Sequence, residues 1–263
     1  MATPNAEVGA VPPPVAMSWA VVTGAASRGG AAIARVLHAR GLSVVVHHSP
    51  RSQLAAVALA AELNAQRAES ARTWCADFAQ PALAVPDWLL TLAPGVLVCN
   101  ASTFAPSAVG DAAQAQLDWQ VHVGAHAAIL AALLPAELSP ANPPANPPAL
   151  RSVVSVTDIH VERPPRGHVW YVASKAALQA LTMALAVEWA PQVRFNVVQP
   201  GTLPMPADWT DAERALRIAA SIPMRRLGTF DELARAVAWL ALDADYVTGQ
   251  VLAVDGGRSR YMV

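Results

Sequence analysis

Short apolar runs recur along this chain and alternate with longer stretches whose apolar residues return at helical spacing. Ser18 to Val22, Leu42 to Val46, Ala71 to Ala76, Val96 to Val98, Ser152 to Val156, Val193 to Val198 and Val251 to Val254 read as strands. Unbroken apolar runs of this length suit strands buried on both faces. Ala31 to Arg40, Gln53 to Gln66, Ala112 to Leu134, His168 to Trp189, Asp208 to Ala220 and Phe230 to Leu242 read as helices. Gly41 closes the first of these and Pro191 the fourth. Strand and helix in alternation predict a parallel sheet of about seven strands with helices on both faces.

Residues 1–16 hold Pro12-Pro13-Pro14 and no periodicity, and read as a disordered arm. Residues 17–263 form one domain. Within it, 138–150 is a Pro/Asn-rich surface loop, since Asn142-Pro143-Pro144-Ala145-Asn146-Pro147-Pro148 fits neither a helix nor a central strand.

Composition removes several functions. The apolar fraction of 54% is swollen by alanine, and the longest apolar helical run, Val121 to Leu134, stops at Pro135 and is too short to span a bilayer. The first basic residue is Arg28, so no signal peptide with a charged start is expected. A net charge of −1 with no basic stripe gives no reason to expect nucleic acid. Cys75 and Cys99 form neither a disulfide framework nor a metal pattern, and a reducing cytoplasm is the expected setting. His122 and His126 stand at i, i+4 spacing, but with no third ligand beside them no metal is expected.

The candidate chemistry lies at the strand ends. The first strand runs into Thr23-Gly24-Ala25-Ala26-Ser27-Arg28-Gly29-Gly30 and then a helix. Strand, Gly-rich turn and helix make a Rossmann-type dinucleotide-binding start, because small residues let the backbone approach a pyrophosphate and the helix N-terminus stabilises it. An acidic residue roughly 20 positions on would bind the ribose diol of NAD. The chain has His47-His48-Ser49-Pro50-Arg51-Ser52 there instead. Arg51, Ser52 and Arg28 suit a phosphate, which predicts NADPH over NADH. Asp77, after the third strand, is placed for the adenine amine or a turn cap. Asn100 to Phe104 follow the fourth strand, with Phe104 a stacking face for a flat ring.

Lys175 is the sole lysine; the other 17 of 18 Lys and Arg side chains are arginines. It lies four residues after Tyr171, so both share one helix face. A nearby ammonium lowers a phenol's pKa, which suits Tyr171 to acid–base work.

These residues resemble the short-chain dehydrogenase/reductase family over nearly all of Ser18 to Gly257. The matching pieces are Thr23-Gly24, Asn100-Ala101, Tyr171 with Lys175, Pro200-Gly201 and Asp255-Gly256-Gly257. Four positions depart from the general pattern: Arg28 replaces Gly, Asp158 replaces Ser, His122 replaces Asn, and Cys99 replaces the first Asn of a pair. The first two, with Asn100 to Phe104, are similar to pteridine reductases. His122, Thr157-Asp158 and Val161-Glu162-Arg163 look most like the bacterial dihydromonapterin reductases, also known as alternative dihydrofolate reductases. The resemblance implies that Tyr171, Lys175 and Asp158 are catalytic. It implies cofactor contacts from Gly24, Arg28, Gly30, His47, Arg51, Ser52, Asp77, Asn100, Ala101, Ser102, Tyr171, Lys175, Pro200 and Gly201. It implies substrate contacts from Ser102, Phe104, Asp158 and Tyr171, with His160, Trp170, Met205 and Trp209 as candidate pocket walls, and a homotetramer.

The implied reaction is NADPH-dependent reduction of a dihydropterin of dihydromonapterin, dihydrobiopterin or dihydrofolate type. A carboxylate at 158 repels the alkoxide that ketone reduction develops, whereas pterin nitrogens offer it donors. Two other readings fit the same motifs: a carbonyl reductase, for instance of an oxoacyl thioester, and an NADP-binding protein without catalysis.

Overall fold

A computed structural model describes residues 19–134, 148–205 and 211–260. Seven strands form one sheet: β1 (Trp19–Val22), β2 (Ser43–His48), β3 (Ala71–Cys75), β4 (Val96–Cys99), β5 (Ser152–Val156), β6 (Arg194–Pro200) and β7 (Val251–Val254). Their order is β3-β2-β1-β4-β5-β6-β7, and every pairing is parallel. This is the single-domain Rossmann-type doubly wound fold. The order reverses between β1 and β4, which opens a crevice at their carboxyl ends.

Period-two alternation divides the core between two faces. Val96 and Val98 point into one core with α1 (Arg28–Ala39), α2 (Gln53–Gln66) and α8 (Phe230–Leu242). Leu97 and Cys99 point into the other, among residues of α3 (Asp87–Thr91), α5 (Ala125–Leu133) and α6 (Val169–Glu188). Thr229 and Glu232 close a reciprocal capping box at the start of α8.

The expected elements are present, with shifted ends. Helix α1 starts at Arg28 rather than 31, and β6 runs on to Pro200. The short helix α3 carries too few periodic residues to be read from sequence. The expected helix over 208–220 is described as α7 (Ala212–Ser221). The arm at 1–16, most of the Pro-rich loop and Trp209 lie outside the described residues.

One helix differs in kind. Ala112 to Leu134, expected as a single helix, is α4 (Ala112–Trp119), a π turn (Gln120–Gly124) and α5. Such widened turns disturb the regular ladder of backbone hydrogen bonds. Here His126 Nδ1–H donates to the His122 carbonyl at 2.8 Å. That fixes its tautomer, so Nε2 accepts from the Thr23 hydroxyl at 2.9 Å. His122 is fixed the same way: Nε2 accepts the Thr103 N–H at 3.0 Å and Nδ1–H donates to Ser174 Oγ at 2.7 Å. His47 accepts the Gly24 N–H on Nδ1 at 3.0 Å and donates Nε2–H to the Ala76 carbonyl at 3.1 Å. The i, i+4 histidine pair is thus a structural staple.

Burial holds all three imidazoles neutral, pushing His47 to about 3, His122 to about 2 and His126 to about 4. In the unfolded chain each protonates near the ordinary value of about 6.5. Their folded values are depressed, so their contribution is complete above about pH 6.5 and is lost as pH falls toward 4. The slope for three such groups approaches about 4 kcal/mol per pH unit. Urea midpoints should therefore be level between about pH 6.5 and 7.5 and drop steeply between about pH 6 and 4.5. A level profile through that window would contradict the neutral assignment.

Candidate active site

The carboxyl ends of the strands open on a cleft of about 650 Å³. Its floor is the Gly-rich turn. A Cβ at Gly30 would lie 2.2 Å from the Gly24 carbonyl oxygen and 2.8 Å from Asn100 Nδ2, so the cradle demands glycine. Gly24 has φ +63, and a Cβ there would meet Ala101 Cα at 2.8 Å. Asn100 binds the turn through Nδ2 to the Thr23 carbonyl at 2.9 Å. Residues 27–30 line the cleft, and Ser27, the N-cap of α1, makes no side-chain capping bond. The helix N-terminus therefore keeps backbone N–H groups for an anion.

Arg28 has φ 51, the left-handed region that a non-glycine residue enters at a cost of about 1 kcal/mol. This geometry explains why glycine is the general choice at the position. Its guanidinium donates to the Pro204 carbonyl at 2.9 Å and lies 5.1 Å from the centre of the Phe230 ring. Arg51, Ser52, Asp77, Ala101, Ser102 and Pro200 also line the cleft. No carboxylate stands at the end of β2, and Asp77 Oδ1 accepts the Ala79 N–H at 3.0 Å.

Three sequence-derived site residues are set apart from the others by their surroundings. His47 lines the cleft, but both its nitrogens are taken by backbone groups and its ring stacks on Phe78 at 3.9 Å. Its two nitrogens thus shape the turn. Gly201 is not among the lining residues, and a Cβ there would meet Asp255 Cα at 2.6 Å, so the close approach of the two segments requires glycine. Phe104 is also outside the lining and is 58% exposed. It stacks on His168 at 4.4 Å and meets the Tyr171 ring edge-on at 4.7 Å, at the border of the cleft. Trp170 lines a separate, mainly apolar hollow with Trp119 and Val109. Lining residues that sequence reasoning missed include Phe78, Leu203, Phe230 and Leu233. They are ordinary apolar residues whose role exists only once distant segments meet.

At the inner end, Tyr171 donates its hydroxyl to Asp158 Oδ2 at 2.7 Å. Asp158 caps the 3₁₀ turn Ile159–Val161, with Oδ1 accepting the His160 N–H at 2.9 Å. Burial pushes the Asp158 carboxyl up, but His160 and the Tyr171 hydroxyl outweigh it and hold it below its ordinary value. Burial, then the Asp158 charge, drives the Tyr171 phenol well above 10.0. This overturns the expectation that Lys175 lowers it. The Lys175 Nζ lies 6.0 Å from the phenol ring centre and donates to the Val156 carbonyl at 2.9 Å. The proton therefore rests on Tyr171 and the charge on Asp158.

His122 presents its ring edge to Tyr171 at 5.5 Å. With both nitrogens committed, it fills space and holds the Ser102-Thr103 turn. Cys99 is buried in the core beneath, its thiol pushed up to about 12 by burial.

A glycine cradle at the switch point, leading to a buried Tyr and Lys, is the arrangement of a dinucleotide-dependent oxidoreductase. Residues 24–259 match the family described as enoyl-(acyl carrier protein) reductase. Pteridine reductase 1 of Leishmania tarentolae is 32% identical over 278 residues, covering 91% of this chain and 96% of that protein. Protein FixR of Bradyrhizobium diazoefficiens is 43% identical over 110 residues, 41% of this chain and 39% of its own. Tropinone reductase-like 3 of Erythroxylum coca is 41% identical over 110 residues, 40% of this chain and 43% of its own. The last two matches thus span about two fifths of each protein. The chain belongs to the short-chain dehydrogenase/reductase family and, within it, is pteridine reductase-like; it is an oxidoreductase of the nicotinamide-dependent kind.

Lys175 is fully buried, and burial lowers it from 10.5 to about 8. A lysine lowered in the folded state binds fewer protons than in the unfolded chain, so stability rises with pH between those values. At neutral pH the buried ammonium costs the fold up to about 3 kcal/mol. Lys175→Met should raise the melting temperature by about 3 °C or more, even without the bond to Val156, while abolishing turnover. A lower melting temperature would contradict that cost.

Proposed function

We propose that this protein reduces a dihydropterin to its tetrahydro form with NADPH. The observation that carries the reading is the carboxylate of Asp158, held ionised at the inner end of the cleft with the Tyr171 hydroxyl on it at 2.7 Å. A ketone reductase needs a neutral donor at that place, because the carbonyl oxygen becomes alkoxide-like and a carboxylate repels it. A ring C=N needs a proton at nitrogen, and a pterin carries amino and ring N–H groups that a carboxylate accepts. The relative aligned over its nearly full length is a pteridine reductase.

NADPH would be held by Gly24, Arg28, Gly30, Arg51, Ser52, Asp77 and Asn100. Its chemistry there is hydride donation. The basic residues beside the cleft, with no carboxylate at the end of β2, favour the cofactor that bears the extra ribose phosphate. Lys175 stands beside Tyr171 and places a positive charge at the inner end of the cleft. Asp158 orients the Tyr171 hydroxyl and accepts donors from the substrate. Tyr171 and Asp158 together hold the proton that the ring nitrogen takes up. Ser102 and Phe104 border the substrate position, with Phe104 offering its ring to a flat substrate. The reading includes a homotetramer working in the cytoplasm.

The test is NADPH oxidation followed by absorbance, with dihydromonapterin, dihydrobiopterin, dihydrofolate and an oxoacyl thioester compared side by side and NADH as the control cofactor. The expected result is turnover of at least one dihydropterin, faster with NADPH than with NADH, and none of the ketone. Turnover of the ketone alone would overturn the reading in favour of a carbonyl reductase. NADPH binding without any turnover would leave a binding protein.

A further inference from the structure

Reduction of a C=N bond consumes a proton with each hydride, and the two groups nearest the chemistry are poorly placed to fetch one. Tyr171 is 4% exposed, and the Asp158 side chain is 19% exposed. The Tyr171 hydroxyl already spends its proton on Asp158 Oδ2. The other oxygen of Asp158 belongs to His160. Oδ1 accepts the His160 backbone N–H at 2.9 Å, and His160 Nδ1 lies 3.1 Å from the same oxygen. Nδ1 is buried and, in this geometry, off the hydrogen-bond direction, with no other partner. The His160 side chain as a whole is 25% exposed. One residue thus touches both the buried carboxylate and solvent.

The charged groups around this contact have partners of their own. On its own segment, Glu162 lies 3.9 Å from Arg260, and Arg163 donates to the Arg258 carbonyl at 2.7 Å. From the C-terminal segment, Arg258 bonds Thr202 Oγ1 and feels the Asp158 charge. From α6, Tyr171 engages Asp158 and Lys175 engages Val156. Across the Phe104 ring, which lies parallel to His160 at 6.3 Å, His168 bonds the Arg166 carbonyl.

We propose that His160 is a positioning and proton-supplying residue: it aligns Asp158 through Oδ1 and passes it protons drawn from water. This rests on the pterin reading. In the step, a turn of the imidazole brings Nδ1–H onto Oδ1, the N–H bond breaks as an Asp158 O–H bond forms, and that proton, or the Tyr171 proton which it replaces, forms the new ring N–H. The reduced nicotinamide cofactor gives the hydride that forms the new C–H and is itself oxidised. Water returns one proton to the imidazole. By sequence His160 reads only as a pocket wall; Asp158 followed two residues later by His is the local signal.

The test uses the full chain with NADPH and a dihydropterin that it reduces. Both His160→Ala and His160→Gln should lose about a hundredfold in kcat, with KM for the dihydropterin changed less than about threefold and NADPH binding, read by fluorescence, unchanged. Glutamine retains a donor for Asp158 but carries no transferable proton. Added imidazole should restore kcat to His160→Ala in a concentration-dependent way. Parental kcat in His160→Gln, or no restoration by imidazole, would overturn the proposal. A second readout is independent of turnover. A downfield imidazole N–H resonance in the parent should vanish in His160→Gln and shift in Asp158→Asn. Its absence from the parent would overturn the His160–Asp158 contact, whatever the substrate. Failure of the parent to reduce any dihydropterin would instead count against the proposed reaction, and the resonance would still decide the contact.

Discussion

The hydroxyl of Thr23 sits where β1 ends, and the cleft is assembled around it. It accepts the N–H groups of Asn100 at 2.8 Å and Ala101 at 2.9 Å, and it donates to His126 at 2.9 Å. Parallel strands that end in a buried crevice leave backbone groups that water cannot reach, and each one unpaired costs about 1–3 kcal/mol. Thr23 settles two of them at once and fixes the distance between the Gly-rich turn and the turn after β4. Through His126 the same atom is joined to the π turn, and through His122 that turn holds Thr103 and α6. The glycine cradle and the Tyr171 corner are thus parts of one hydrogen-bonded frame.

Within that frame the electrostatics are simple. The imidazoles are neutral because burial forbids their charge, and the thiol of Cys99 is silent for the same reason. Two charges face the inner end of the cleft: the ammonium of Lys175 and the carboxylate of Asp158. Their presence is costly in a dry site, and the cost is offset by backbone and side-chain partners chosen for each. The carboxylate then dictates where the proton waits. It keeps Tyr171 protonated, opposite to what a Tyr–Lys pair alone would do.

Much of this was legible in the sequence, for physical reasons. Unbroken apolar runs marked the strands, and the Gly-rich turn, the missing acid after β2 and the Tyr–Lys spacing marked the cleft. The π turn was not legible, because a single widened turn of five residues is too short to impose its own apolar periodicity. The partners of His47 and Gly201, Ala76 and Asp255, were not legible because they are distant in sequence and meet them only in the folded sheet. The Tyr171 proton was misassigned because helix spacing reveals Lys175 but not the hydrogen bond that Asp158 makes from another segment. Phe230, which meets Arg28 across the cleft, carries no local signal at all.

The central claim is that the carboxylate at 158 selects an imine over a ketone. The most direct measurement is the ratio of kcat/KM for a dihydropterin to that for an oxoacyl thioester in the parent and in Asp158→Ser. The account predicts that the serine variant loses at least about a hundredfold on the dihydropterin and gains measurable activity on the ketone. Undiminished dihydropterin reduction by the serine variant would contradict it.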